Sequence, residues 1–326
     1  SEFYPLKKFF IMLTRRHIRV KVMQGLYAMT QTTEDNLDKE KKFLSLSMEK
    51  MGSLYLLHLS LFIELQARAA DHLILSSKKY ISSSADLDPS KAKFSNNLVL
   101  AQIKNNEAIN SAIAARKLNT WYLHEEYVKI IYKEIVESVA YSEYLKKSEN
   151  SYEEDLAFVI KIFKEIIAPN DKVYDFLEDH TITWADDMPI VNTFLLKQLK
   201  KLTPKVIGSG FIKGLAILED DAEFAQNLLV KTALKESELA KETADKTPKW
   251  DKDRIADIDG ILLKMSICEL LFFPSIPVRV TINEYLEIAK EYSTPKSSIF
   301  INGILDSLSK EYKDQGRLEK VGRGLL

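Results

Sequence analysis

Apolar residues recur at helical spacing almost from the start of the chain. Ile18, Val22, Gly25, Leu26 and Met29 fall on one stripe, and the Thr14 hydroxyl stands where an N-cap is needed. A helix from Thr14 to about Met29 is therefore predicted, with the cations on its other faces. From about Asp35 to Tyr80 the pattern reads as one long helix with an apolar middle, Leu54 to Leu65. Ser82, Ser83, Ser84, Asp86, Asp88 and Pro89 mark a loop. Further helices are expected over 97–118, 123–147, 153–167 and 188–202, followed by a glycine-bearing linker from Pro204 to Gly214. Glu219 to about Ala244 is again helical. Pro248 and Trp250 lead into a helix capped by Asp251, with Ile255, Ile258, Leu262, Met265 and Glu269 on one face and Pro274 as its stop. Pro277 opens a helix to about Tyr292, and Thr294 with Pro295 opens the last one, through Ile299, Ile304, Leu305 and Leu308.

Composition sharpens this to an all-α fold. Only 10 Gly and 9 Pro occur in 326 residues, too few for a protein of many turns and short strands. With 46% hydrophobic residues the chain can bury the cores of two domains. The single cysteine, Cys268, excludes an internal disulfide and a thiolate zinc cluster, which suits the cytoplasm. Met51 to Ile63, between Lys50 and Glu64, is the longest uncharged apolar run. It falls short of the roughly 20 residues a bilayer requires, so it is expected to be a buried helix, with no membrane partner. Arg15, Arg16 and Arg19 interrupt the first apolar segment, which argues against a cleavable signal. Net charge is −1, yet no acidic residue stands between Glu2 and Glu34, where Lys7, Lys8, Arg15, Arg16, Arg19 and Lys21 lie. The N-terminal region is a local cation patch.

Two segments echo each other at a constant offset. Glu153-Glu154-Asp155-Leu156-Ala157-Phe158 is similar to Glu219-Asp220-Asp221-Ala222-Glu223-Phe224, and the same shift carries Trp184 to Trp250 and Asp187 to Asp253. An internal duplication of a helix pair is one explanation and chance is the other.

Residues 15–27, Arg-Arg-His-Ile-Arg-Val-Lys-Val-Met-Gln-Gly-Leu-Tyr, resemble the opening helix of the NusB family. Ile276-Pro277-Val278-Arg279-Val280-Thr281-Ile282-Asn283-Glu284, then Glu287-Ile288-Ala289-Lys290, then Phe300-Ile301-Asn302-Gly303-Ile304-Leu305-Asp306 are similar to that family's most distinctive tract. Trp250 to Leu271, with Asp259, Leu262 and Glu269-Leu270, fits the helix before it. The likeness spans 14–34 and about 219–312. Residues 1–11 precede it, and Met12 is a candidate initiator. The resemblance implies a pair of helical bundles: 14–35 with 218–247 as the first, 248–316 as the second, and 36–217 inserted between the first helix and the rest. It also implies an RNA-binding transcription antitermination factor without catalytic activity or cofactor. Such a factor acts on single-stranded boxA-type RNA of ribosomal RNA operons, with a NusE-type small-subunit ribosomal protein and the RNA polymerase elongation complex. The alternative is a protein-interaction scaffold in transcription or ribosome assembly whose RNA specificity is weak or lost.

The residues give this RNA reading a physical basis. Arg15, Arg16 and Arg19 sit at a helix start, where the macrodipole disfavours cations by roughly 0.3–1 kcal/mol each. No carboxylate is close in sequence, and a phosphate backbone would relieve all three. The competing reading is a solvated face with a distant acidic partner. Lys21 extends the cation patch. Tyr27 is placed to stack on a base or to line the core, and Phe300, after Lys296, Ser297 and Ser298, is open to the same two readings. Lys290 and Lys296 add cations near the last inter-helix turn. Asn283, Glu284, Asn302 and Gly303 are read as structural, with Gly303 admitting a close helix neighbour. Glu269 is read as serving the amides of an adjacent helix start. No His17, His58, His72, His124 or His180 has a Glu three residues before it, and no phosphate-loop or dinucleotide-glycine pattern is present. The adjacent acidic pairs Asp186-Asp187 and Asp220-Asp221 diverge by about 100° on a helix and make no catalytic dyad. They are read as helix starts.

Overall fold

The computed structural model describes residues 12–31, 36–77, 89–147, 149–205, 208–244, 246 and 257–325. Lys7 and Lys8, the expected loop at 82–88, and Pro248, Trp250, Asp251, Asp253 and Ile255 lie outside them. Among the described residues the regular elements are all helical, so the protein is all-α. It divides into two compact units, one of residues 1–12 and 49–216, the other of residues 13–48 and 217–326.

Helices α1 (Arg15–Gln31) and α2 (Leu37–Ser77) open the chain. The long helix expected between Asp35 and Tyr80 is α2. Met51 to Phe62 is buried on every face, which its uncharged, largely apolar text suits. This stretch belongs to the 49–216 unit, with α3 (Ala92–Ser95), α4 (Leu98–Lys104), α5 (Glu107–Ala115), α6 (Glu125–Glu137), α7 (Val139–Tyr144), α8 (Tyr152–Ile162), α9 (Asp171–His180) and α10 (Trp184–Leu199). Side-chain donors tie the other elements to the buried backbone. Trp121 Nε1 donates to the Leu57 carbonyl (3.2 Å) and Ser60 Oγ (3.0 Å), and Trp184 Nε1 donates to the Lys50 carbonyl (2.9 Å).

The helix expected over 97–118 is two. Helix α4 closes at Asn105, and Asn106 restarts the chain as α5 by accepting from the Ile109 amide (3.0 Å). That expected over 123–147 breaks at Ser138, which is extended and accepts from the Tyr141 amide (3.1 Å). In both cases a capping side chain competes successfully with the helical backbone bond. Helix α8 runs on through a π-turn at Phe163–Ile167, and α9 has no counterpart among the expected elements. Helix α10 begins at Trp184, before the expected Met188, and so contains Pro189. The proline has no N–H for the Ala185 carbonyl, and the Tyr174 hydroxyl donates to it instead (3.0 Å).

The other unit holds α1, the first residues of α2, and helices α11 (Glu219–Leu234), α12 (Glu236–Ala244), α13 (Asp257–Phe272), α14 (Val278–Tyr292) and α15 (Ser297–Asp314). The single helix expected over 219–244 is interrupted at Lys235, between α11 and α12. Helix α15 starts at Ser297, after the expected Thr294-Pro295. Asp259 of α13 accepts from the Ser293 hydroxyl (2.6 Å) and the Ser297 hydroxyl (2.7 Å), which fixes the turn ahead of the helix.

Helix α1 packs against α11, α13 and α14, and Ile18 to Met23 are buried without a gap. This corrects the expectation of one apolar stripe with cations elsewhere. The middle of α1, with neighbours around it, has no free face, so Arg19 and Lys21 are enclosed along with the aliphatic side chains.

The offset of the sequence echo carries helices onto helices. Shifted by 66 residues, the difference between Phe158 and Phe224, residues 152–167 become 218–233, beside α11, and 171–180 become 237–246, beside α12. The paired aspartates Asp155 and Asp221 are both buried, as are Phe158 and Phe224.

Candidate nucleic-acid interface

Thr14 caps α1 as its sequence suggests, accepting from the His17 amide (3.4 Å). The three arginines that follow meet three carboxylates brought from far along the chain. Arg15 Nε donates to Asp221 Oδ1 (2.7 Å), and its guanidinium lies 4.4 Å from the centre of the Phe224 ring. Arg16 makes a two-pronged contact with Glu284, Nε to Oε2 and Nη2 to Oε1, both 2.9 Å. Arg19 pairs in the same way with Glu269 (2.8 and 2.6 Å), and these two side chains are 2% and 0% exposed. Glu269 also accepts from the Thr281 hydroxyl (2.8 Å) and the Tyr285 hydroxyl (3.2 Å), so four donors converge on one buried carboxylate. It does not serve the amides of a helix start, as its sequence position suggested.

Electrostatics follow this geometry. Burial works to lower the Arg19 pKa, but the charge and hydrogen bonds of Glu269 outweigh it, and the guanidinium is held above its ordinary value. The hydrogen bond from Arg16 holds the Glu284 carboxyl below the usual carboxylate range. Burial, and then the charges of Lys21 and Arg16, push His17 down to about 4, so at neutral pH its imidazole is uncharged.

Arg15, Arg16, His17 and Arg19 line one open cleft of about 950 Å³, together with Phe224, Phe273, Val280 and Glu284. Arg323, from the segment after α15, completes it. That segment is held by the Val321 amide on the Pro274 carbonyl (3.0 Å) and by Lys320, whose ammonium donates to the Phe273 carbonyl (3.0 Å) at the C-terminal end of α13. A Cβ at Gly324 would lie 1.9 Å from the Pro274 oxygen, so only glycine permits this close approach.

The eight residues proposed from sequence separate into groups. Arg15, Arg16 and Arg19 line the cleft. Arg19 is nevertheless sealed within its ion pair, and Lys21 is only 6% exposed, so neither offers a guanidinium or ammonium to a ligand. Tyr27 is exposed, but eleven residues along α1 places it about 16 Å from Arg16. Lys290 is exposed and bonded to Glu287 (2.6 Å), whose charge also reaches Arg16. Lys296 is exposed and Phe300 half-buried at the start of α15, and neither lines the cleft. Gly303 is exposed with open space where a Cβ would stand, so it admits no close helix neighbour. Sequence reasoning missed Phe273 and Arg323. The signal for the buried pairing was present in Glu269, a lone charge in the apolar text Ile267-Cys268-Glu269-Leu270-Leu271.

The NusB family model matches residues 205–310. Among curated relatives, the transcription antitermination protein NusB of Finegoldia magna is 39% identical over 100 residues, 31% of this chain and 73% of that protein. The chain belongs to the NusB family. Its likeness to the NusB protein of Salinibacter ruber is 47% over 105 residues, spanning 32% of this chain and 65% of the relative. For Chloroherpeton thalassium the figures are 51% over 77 residues, 24% and 36%. The chain thus spans less than two thirds of the length of these last two relatives. A solved structure of T. maritima NusB aligns over 45% of this chain and 92% of its own, at 27% identity and a TM-score of 0.30. The family match holds Glu269, Glu284, Asp221 and Phe273, and it begins after α1, which carries the arginines.

Proposed function

We propose that this protein is a transcription antitermination factor that binds RNA through the unit of residues 13–48 and 217–326. One observation carries the reading: Arg15, Arg16 and Arg323 converge with Phe273 on a single open cleft. Arg15 and Arg16 remain about 40% exposed beside their carboxylates, leaving guanidinium edges for phosphate oxygens, while Phe273 and Val280 offer apolar surface to an unstacked base. In this reading 14–35 with 218–247 and 248–316 are the two bundles of the family core, 36–217 is the insertion, and the protein works in the cytoplasm by binding, without catalysis or cofactor. Its RNA is a single-stranded boxA-type element of a ribosomal RNA leader, taken up with a NusE-type ribosomal protein at an elongation complex.

Salt titration of leader RNA binding, with the ribosomal protein present, tests this. Affinity is expected to fall steeply with salt, and Arg16→Ala to reduce the slope of log affinity against log salt by about 1. Equal binding of a scrambled RNA would reject the proposal. A scaffold reading is favoured by one specific feature, the carboxylate already bonded to each of Arg15, Arg16 and Arg19, and that outcome would select it.

A further inference from the structure

In the 49–216 unit, the ring of Phe176 on α9 is the hub of an aromatic platform. Tyr127 and His124 lie 4.5 and 4.7 Å from it, ring centre to ring centre, Trp121 lies 5.6 Å away and His180 6.1 Å. His180 in turn stacks flat on Trp184 (5.2 Å, 5°). Trp121 and Trp184 are buried and their N–H groups are used, so they anchor the platform from below. Around it the chain exposes apolar side chains that a solvated surface does not call for: Tyr122 at 64%, Leu123 at 60% and Ile182 at 69%.

The rim is acidic in balance: Asp175 and Asp179 flank Phe176 on α9 and Glu126 stands beside Tyr127, against Lys172 of α9 and Lys50, whose charge reaches His180. Negative charge around aromatic faces repels a phosphate backbone and attracts cations, which also bind to the faces of Tyr and Phe rings.

The sequence echo separates this surface from the cleft. Where Phe224 has Arg15 over its ring beside an open cleft, its counterpart Phe158 is stacked on Tyr144 (4.0 Å, 2°) with Phe94 edge-on (5.4 Å). Where Asp221 binds Arg15, Asp155 is taken up by the Leu98 amide (2.7 Å), Asn150 and the Tyr144 hydroxyl. The position equivalent to the cleft is filled by the unit's own side chains.

We infer that the aromatic platform of α6, α9 and the turn at Trp121–Leu123 is a docking surface for a basic segment of a partner protein, with an apolar residue set on Tyr122 and Leu123 and Arg or Lys side chains against the carboxylates of α9. The occupant follows from charge: the acidic rim selects a cationic partner and the exposed apolar residues require more than charge from it.

The test uses the full chain and fluorescent short peptides in an anisotropy titration: one alternating Arg and Leu, one with Ser for Leu and one with Glu for Arg. The Arg/Leu peptide is expected to bind, and the Arg/Ser peptide to bind about tenfold more weakly. A similar loss is expected in Tyr122→Ser/Leu123→Ser and separately in Asp175→Lys/Asp179→Lys, all substitutions at exposed positions, with leader RNA affinity unchanged. Arg/Leu binding that both double variants retain, or equal binding of the Glu/Leu peptide, would overturn the inference. So would self-association that the variants abolish, which would make a second copy the occupant, or loss of RNA binding in the Tyr122/Leu123 variant, which would make it RNA.

Discussion

Arg16 and Arg19 stand three residues apart on one helix, yet their surroundings give them different work. Arg19 and Glu269 are both desolvated, and removing one partner leaves the other charged and buried. Arg19→Met is therefore expected to cost about 3–5 kcal/mol in urea denaturation. Arg19→Met with Glu269→Gln should recover part of that, because a neutral amide still serves Thr281 and Tyr285. Wild-type stability in Arg19→Met would refute the buried-pair account. Arg16→Ala breaks a half-exposed pair and should cost under about 1 kcal/mol while weakening RNA binding. His58, buried in α2 with its ring edge-on to Phe163 (5.7 Å), is pushed by burial down to about 4. The unfolded chain takes up that proton near the ordinary 6.5, so the stability His58 contributes is complete above pH 6.5 and is lost as pH falls through 4. The loss approaches about 3 kcal/mol. His17 acts in the same direction. Stability measured against pH should be flatter between 6.5 and 4 in His58→Gln, and an unchanged profile would remove the histidine from the account.

At the scale of elements, local chemistry decides where helices stop, and tertiary contacts decide what they bury. Asn106 and Ser138 break long periodic stretches because each can cap the helix that follows, and both are legible in the sequence once the break is known. Asn106→Ala should cost about 1 kcal/mol in chemical denaturation. The Pro189 position is different. Its tolerance depends on Tyr174 from another helix supplying a donor to Ala185, which no local pattern announces. The segment after α15 is likewise silent in sequence, since Gly322, Arg323 and Gly324 follow no helical period. Gly324→Ala is expected to lever this segment from Pro274 and so withdraw Arg323 from the cleft. Limited trypsin digestion should then cut faster at Lys320 and Arg323 than in wild type, and an unaltered rate would mean that the contact is dispensable.

Across the whole molecule, the two segments that echo each other in sequence stand in different surroundings. Asp221 and Phe224 stand beside an arginine-lined cleft. Asp155 and Phe158 are consumed in packing, and the surface of that unit carries carboxylates beside aromatic rings. Photo-crosslinking of bound leader RNA should accordingly give adducts near Arg15, Arg16, Phe273 and Arg323 and none within 89–205. Adducts on α9 would contradict this division.

The sequence by itself determined the helical class, most of the helices and the family, because these depend on periodicity, breakers and ordered motifs that act over a few residues. It also located the arginine helix. Only the tertiary structure decided which of its cations stay at the surface. Asp221, Glu269 and Glu284 lie more than two hundred residues away, and α11, α13 and α14 surround α1, so Arg19 and Lys21 are enclosed while Arg15 and Arg16 stay at the surface. Burial of a side chain depends on what packs around its helix, and spacing along that helix carries no record of those neighbours.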